Sequence, residues 1–171
     1  MDKQKGIISN LESLMDMLAS NDGMIRLKAR ESLVTLGKPG VPSLVQALQQ
    51  SGLDQVRWEA AKTLGAIDDA RSIPSLVTAL EDCDNDVAWL AAEALSRFKK
   101  AAWPSLLQAL INDKSDSALL CRGAHHVLLH QKEDGLNELL ATLMKALEYG
   151  TIHESTTLAA YEILKRMEVN S

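Results

Sequence analysis

Aromatic residues are scarce. Three tryptophans, two tyrosines and one phenylalanine make up 4% of 171 residues, against 46% hydrophobic content. An apolar interior must therefore be built from aliphatic side chains and alanine, a mixture suited to close-packed helices. The only cysteines, Cys83 and Cys121, form no spaced cluster, so the expected setting is a reduced, cytoplasmic one. No run approaches the roughly 20 apolar residues that would span a bilayer. Near the start, Lys3 and Lys5 are followed by Ile7, Ile8, Leu11, Leu14, Met15 and Leu18, interrupted by Glu12 and Asp16. That pattern is an amphipathic helix and lacks the continuous apolar core of a signal peptide. Positive charge is also short, with 18 Lys and Arg against 23 Asp and Glu and a net charge of -5. This argues against a sequence-independent grip on nucleic acid, which needs clustered cations. Catalytic patterns are missing as well: there is no Ser-His-Asp arrangement, no phosphate-cradling glycine loop and no Cys-His nucleophile setting.

What is present is repetition. Val56-Arg57-Trp58-Glu59-Ala60-Ala61 returns as Val87-Ala88-Trp89-Leu90-Ala91-Ala92, with the tryptophans 31 residues apart. A period of that length fits a helical hairpin and is far too long for a heptad. Three of the four prolines mark a second series, Pro42-Ser43-Leu44, Pro74-Ser75-Leu76 and Pro104-Ser105-Leu106. Proline suits the first turn of a helix, where its missing N–H has no partner to lose. Behind these prolines run Leu44, Val45 and Leu48, then Leu76, Val77 and Leu80, then Leu106, Leu107 and Leu110. Leu139, Leu140 and Leu143 continue the series without a proline, and Leu14, Met15 and Leu18 fit it from the front. The first helices align as Ile25-Ala29-Leu33-Leu36, Val56-Ala60-Leu64-Ile67, Val87-Ala91-Leu95-Phe98 and Leu119-Gly123-Val127-His130. The expected organisation is a single domain over 1–171: a cap helix in 1–20, repeats over 22–147 and a closing helix over 151–168 that reads as the first half of another hairpin.

These residues, together with Leu64-Gly65-Ala66-Ile67-Asp68-Asp69-Ala70, Ile73, Ala79-Leu80 and the acidic turn Asp82, Asp84 and Asp86 before Val87, resemble a HEAT-repeat protein of the phycobilisome-lyase HEAT-like type. The resemblance implies an all-α fold, an α-solenoid (a HEAT/armadillo-like superhelix) of about five right-handed helical hairpins. It also implies inter-repeat hydrogen bonds from Arg26 and Arg57, lost where Ala88 and Leu120 replace the arginine. In the acidic turn, helix capping is the ordinary use of the carboxylates.

At about 100° per residue, Trp58 falls roughly 200° from Val56 and so points away from the core stripe. The same arithmetic gives an outward ladder of Leu27, Trp58, Trp89 and Cys121, flanked by Lys28, Glu31, Glu59, Lys62, Leu90, Glu93, Arg122 and His125. The resemblance places these positions on the concave surface. Outward tryptophans on adjacent rungs point to a binding anchor, because tryptophan is enriched at hot spots and exposed apolar patches mark contacts. Trp103 stands where Val41 and Ile73 occur and is expected in the core. Cys121 with His125, and His126 with His130, have helical ligand spacing but too few members for a closed zinc site, so no metal and no cofactor are expected. HEAT-repeat deoxyhypusine hydroxylases carry His-Glu pairs where this chain has Trp58-Glu59, Trp89-Leu90 and Cys121-Arg122, and the lone His153-Glu154 does not replace them. The expected function is a noncatalytic protein-interaction module or small scaffold that binds a protein or peptide, with no nucleic acid and no membrane. Self-association through the tryptophans is a further possibility, and the alternative is a bilin lyase or chromophore-handling subunit.

Overall fold

The computed structural model describes residues 2–113, 115–150 and 154–169, with side chains from residue 10 onward. The side chains of Lys3, Lys5, Ile7 and Ile8, and the whole of His153, lie outside the described residues. Ten α-helices are seen among them: α1 (Asp2–Met17), α2 (Gly23–Leu36), α3 (Val41–Gln50), α4 (Asp54–Ile67), α5 (Ile73–Thr78), α6 (Asn85–Phe98), α7 (Trp103–Asn112), α8 (Ala118–Leu128), α9 (Asn137–Leu147) and α10 (Glu154–Val169). Helices α2, α4, α6 and α8 pack side by side in one layer, and α3, α5 and α7 in a second. Each second-layer helix also packs on the first-layer helix that follows it. The α1 helix packs on α2 in the same way, with Leu14 and Leu18 buried.

The prolines do what their position requires. Pro42, Pro74 and Pro104 lie in the first turns of α3, α5 and α7, each behind a short 3-10 turn at Lys38–Gly40, Ala70–Ser72 or Lys99–Ala102. The leucine series behind them is buried through Leu44, Leu48, Leu76, Leu80, Leu106, Leu107 and Leu110. Each such side chain contributes about 2 kcal/mol of gross apolar burial. Trp103 is 1% exposed and belongs to this core, as its place in the proline series indicates.

The chain leaves each of the first-layer helices α2, α4, α6 and α8 through a residue with positive φ, at Gly37, Asp68, Lys99 and His130, 31 residues apart. Only the first is glycine, the residue for which this conformation is free of strain. Entry into the helices is less uniform. Asp22 and Asp84 accept hydrogen bonds from the amides of their first turns, and Ser117 from Leu120, but the matching residue before α4 is Leu53, which has no side-chain cap and is 57% exposed. Leu53→Asp would restore the missing acceptor with little loss of buried surface. It is expected to stabilise the chain by about 1 kcal/mol, read as a higher urea midpoint at unchanged m-value.

Two expectations are corrected here. The helix-start residues at 22, 53 and 84 are 31 apart, but the fourth comes at 117, two residues late. The core stripe of α8 is therefore Leu120, Ala124, Val127 and Leu128, while Leu119 and Gly123 are half-buried and His130 is exposed. Cys121, not Leu120, takes the place of Arg26, Arg57 and Ala88. The final helix does not begin another hairpin in the first layer. Instead α10 packs along α7 and α9, burying Ala159, Ala160 and Ile163 at the end of the second layer.

Candidate functional site

Glycine and alanine let the first-layer helices approach closely. A Cβ built on Gly65 would lie 2.8 Å from that of Ala94, so α4 and α6 touch nearly backbone to backbone. That approach leaves the residues two positions behind each core alanine standing outward between shallow grooves. With Ala29, Ala60, Ala91 and Ala124 aligned in the core, the outward ladder is Leu27, Trp58, Trp89 and Arg122.

Trp89 is 56% exposed and lines two grooves. One, of 590 Å³, runs past Val34, Ala61, Gly65, Ala66, Leu90 and Ala94. The other, of 400 Å³, lies beside Ala88, Ala92, Arg122 and His126. The Trp89 ring is tilted against His126 with centroids 6.4 Å apart, and His126 Nε2 is 2.7 Å from Glu93 Oε1. Trp58 is half-buried and packs against the core. Lys62 Nζ stands 4.4 Å from its ring centroid and the Arg30 guanidinium 5.9 Å. The two tryptophans thus differ: one is an open wall, and the other a platform already covered by cations.

The remaining members of the expected site divide. Lys28, Glu31, Lys62 and Arg122 are exposed, and Leu27, Leu90, Glu93 and His125 are half-buried on or beside this face. Glu59 and Cys121 are corrections. Glu59 is 2% exposed and faces α2, where it accepts hydrogen bonds from Arg26 Nε at 3.2 Å and from Arg30 Nη1. Cys121 is fully buried, because the two extra residues before α8 turn it into the core. Burial raises the Cys121 thiol above its ordinary value, and the carboxylates of Asp113 and Asp116 raise it further, so it remains a neutral thiol at physiological pH. His126, and not His125, is the equivalent of Lys62. Arg30 and Arg97 also line the 590 Å³ groove and were missed, because ladder arithmetic follows one helix face at a time. Among the described residues, no group of three or more His, Cys, Asp or Glu could hold a metal ion.

Carboxylate and arginine pairs lock the units together. Arg26 and Arg57 each donate to the carbonyl six residues earlier, Ser20 and Ser51. Arg57 then forms a two-pronged pair with Asp82 at 2.7 and 2.9 Å, whereas Arg26 turns to Glu59. Burial alone would raise the Asp82 carboxyl. The Arg57 hydrogen bonds and the Asp84 amide outweigh it and hold the group below its ordinary value. Asp69 is lowered from 3.8 to about 2, first by the side-chain hydrogen bond from Arg71 and then by the Arg71 amide.

Because both folded values are depressed, the two carboxylates stabilise the fold above the ordinary carboxylate value. That contribution disappears as pH falls through the folded one. The expected result is a urea midpoint that declines between pH 3.8 and about 2, with a shallower decline in Asp69→Asn and Asp82→Asn.

Across units, equivalent positions alternate between acidic and basic side chains. Glu31, Lys62, Glu93 and His126 form one row; Lys38, Asp69, Lys100 and Glu133 form another, in which Lys100 Nζ is 2.6 Å from Glu133.

Two stacked helix layers with an uncovered face define the class, an all-α solenoid built from repeated hairpins. Residues 41–124 match the family model for HEAT repeats. A comparison with curated proteins gave no match. No helix among the described residues is long and apolar enough to cross a membrane.

Proposed function

We propose that the chain is a noncatalytic protein-interaction module of the phycobilisome-lyase HEAT-like type, binding a protein or peptide segment along the α2, α4, α6 and α8 face. The observation that carries this reading is Trp89, a large apolar ring more than half exposed and set between two grooves. An indole in that position loses water only when a partner covers it. HEAT repeats commonly serve as protein-interaction scaffolds, which agrees with a repeating core that leaves the outward positions free. Trp89 is the main anchor in this reading. Trp58 and its cations form the neighbouring wall, with Leu27, Lys28, Glu31, Leu90, Glu93, Arg122 and His125 around them. The domain spans 1–171, and its setting is the cytoplasm.

The test is a photo-crosslinking residue placed at Leu90 on this face and, separately, at Gln46 on α3, in the cells that make the protein. A discrete product from position 90 that is absent from position 46 and lost with Trp89→Ala supports the reading. Equal products from both positions, or a position-90 product indifferent to Trp89→Ala, would overturn it. Visible absorbance of the protein from a pigment-producing host would instead favour chromophore handling.

A further inference from the structure

The larger groove beside Trp89 carries a charge opposite to that of the chain. It is lined by Arg30, Lys62 and Arg97 against Glu31 and Glu93, an excess of positive charge in a protein of net charge -5. Pairing sharpens the difference. Glu93 accepts a hydrogen bond from His126 at 2.7 Å, which turns its carboxylate toward α8. Arg30 shares the single carboxylate of Glu59 with Arg26, so that buried cluster keeps a positive excess. Among the described residues, neither Lys62 nor Arg97 takes part in an ion pair.

Arg97 has an ordinary explanation as a cation in the last turn of α6. Lys62 sits in mid-helix, away from any helix end. It is held over the Trp58 ring at 4.4 Å, so a cation is preset on the groove wall and little freedom remains for a ligand to remove. The groove floor of Ala61, Gly65 and Ala94 is apolar and low, with Trp89 as the facing wall.

Resting on the reading of this face as a protein-binding surface, we infer that the segment it receives is an acidic, apolar peptide. An apolar side chain packs on Trp89 over the small-residue floor, and a neighbouring carboxylate meets Lys62 and Arg97. The screening length is about 8 Å at physiological salt. Carboxylates elsewhere on the chain therefore oppose the approach weakly, and the local excess selects the partner.

The test is to pan a random peptide display library on the intact chain, with counter-selection on Trp89→Ala, and to read the charge of the enriched sequences. Trp89-dependent peptides rich in Asp and Glu beside an aliphatic or aromatic residue are expected. A resynthesised one should bind Lys62→Glu with Arg97→Glu about tenfold more weakly and Glu31→Lys more tightly, with helicity unchanged in both variants. Trp89-dependent peptides that are neutral or basic would overturn the acidic assignment and leave the binding face standing. Failure to enrich any Trp89-dependent peptide would remove the face itself and this inference with it.

Discussion

Trp103→Ala is expected to destabilise the chain by about 3–5 kcal/mol, the range for truncating a large aromatic in a closed core. The residue is 1% exposed at the start of α7 and is the largest fully buried side chain. Because α7 packs against α5 on one side and α10 on the other, the cavity would open where three second-layer helices meet. The indole carries its own liability, since Nε1 is buried without a hydrogen-bond partner. Trp103→Phe gives up part of the volume but also removes that unpaired donor, and it should cost less than about 1.5 kcal/mol. Urea unfolding followed by far-ultraviolet circular dichroism separates the two substitutions. Equal costs would mean that cavity volume is not what the indole supplies.

Glu59→Ala should cost about 2–3 kcal/mol. The carboxylate reaches across the α2–α4 contact to Arg26 and Arg30, which stand one turn apart on α2, and its removal leaves two neighbouring guanidinium groups without that counter-charge. The arginine side chains are 20% and 18% exposed, so solvent softens the repulsion and keeps the cost below that of a fully buried charge. Replacing all three together, Arg26→Met, Arg30→Met and Glu59→Leu, should restore most of the lost stability, because the desolvation cost of the cluster is then absent. A triple variant as unstable as Glu59→Ala would show that charge balance is not the governing effect.

The fold was legible because its signals are local and recur. Prolines at helix starts, leucines at three- and four-residue spacing and the paired tryptophans each repeat at nearly one interval. Trp103 could be placed in the core by position alone. The site was less legible for two physical reasons. A helix wheel measures direction from one helix and does not know what the next helix brings, so Glu59 looked outward although α2 delivers two arginines to it. A wheel also inherits its register from the alignment, which took up one of the two extra residues before α8 and so left every assignment there one position short. Cys121 thereby moved inside, and Arg122 and His126 took the outward places. Aligning on the core alanines Ala91 and Ala124, rather than on the spacing of the tryptophans, would have exposed the slip. The unequal roles of Trp58 and Trp89 depend on where Lys62 and Arg30 settle, which no single-helix pattern contains.

The alternating rows give the array a parity. Glu31, Lys62, Glu93 and His126 change character at every step, as do Lys38, Asp69, Lys100 and Glu133. Deleting one internal unit would bring Glu31 beside Glu93 and Lys38 beside Lys100, like against like in both rows. Deleting two consecutive units would keep each row's alternation. In shape the repeating element is one hairpin, whereas in the acidic or basic character of these positions it is two.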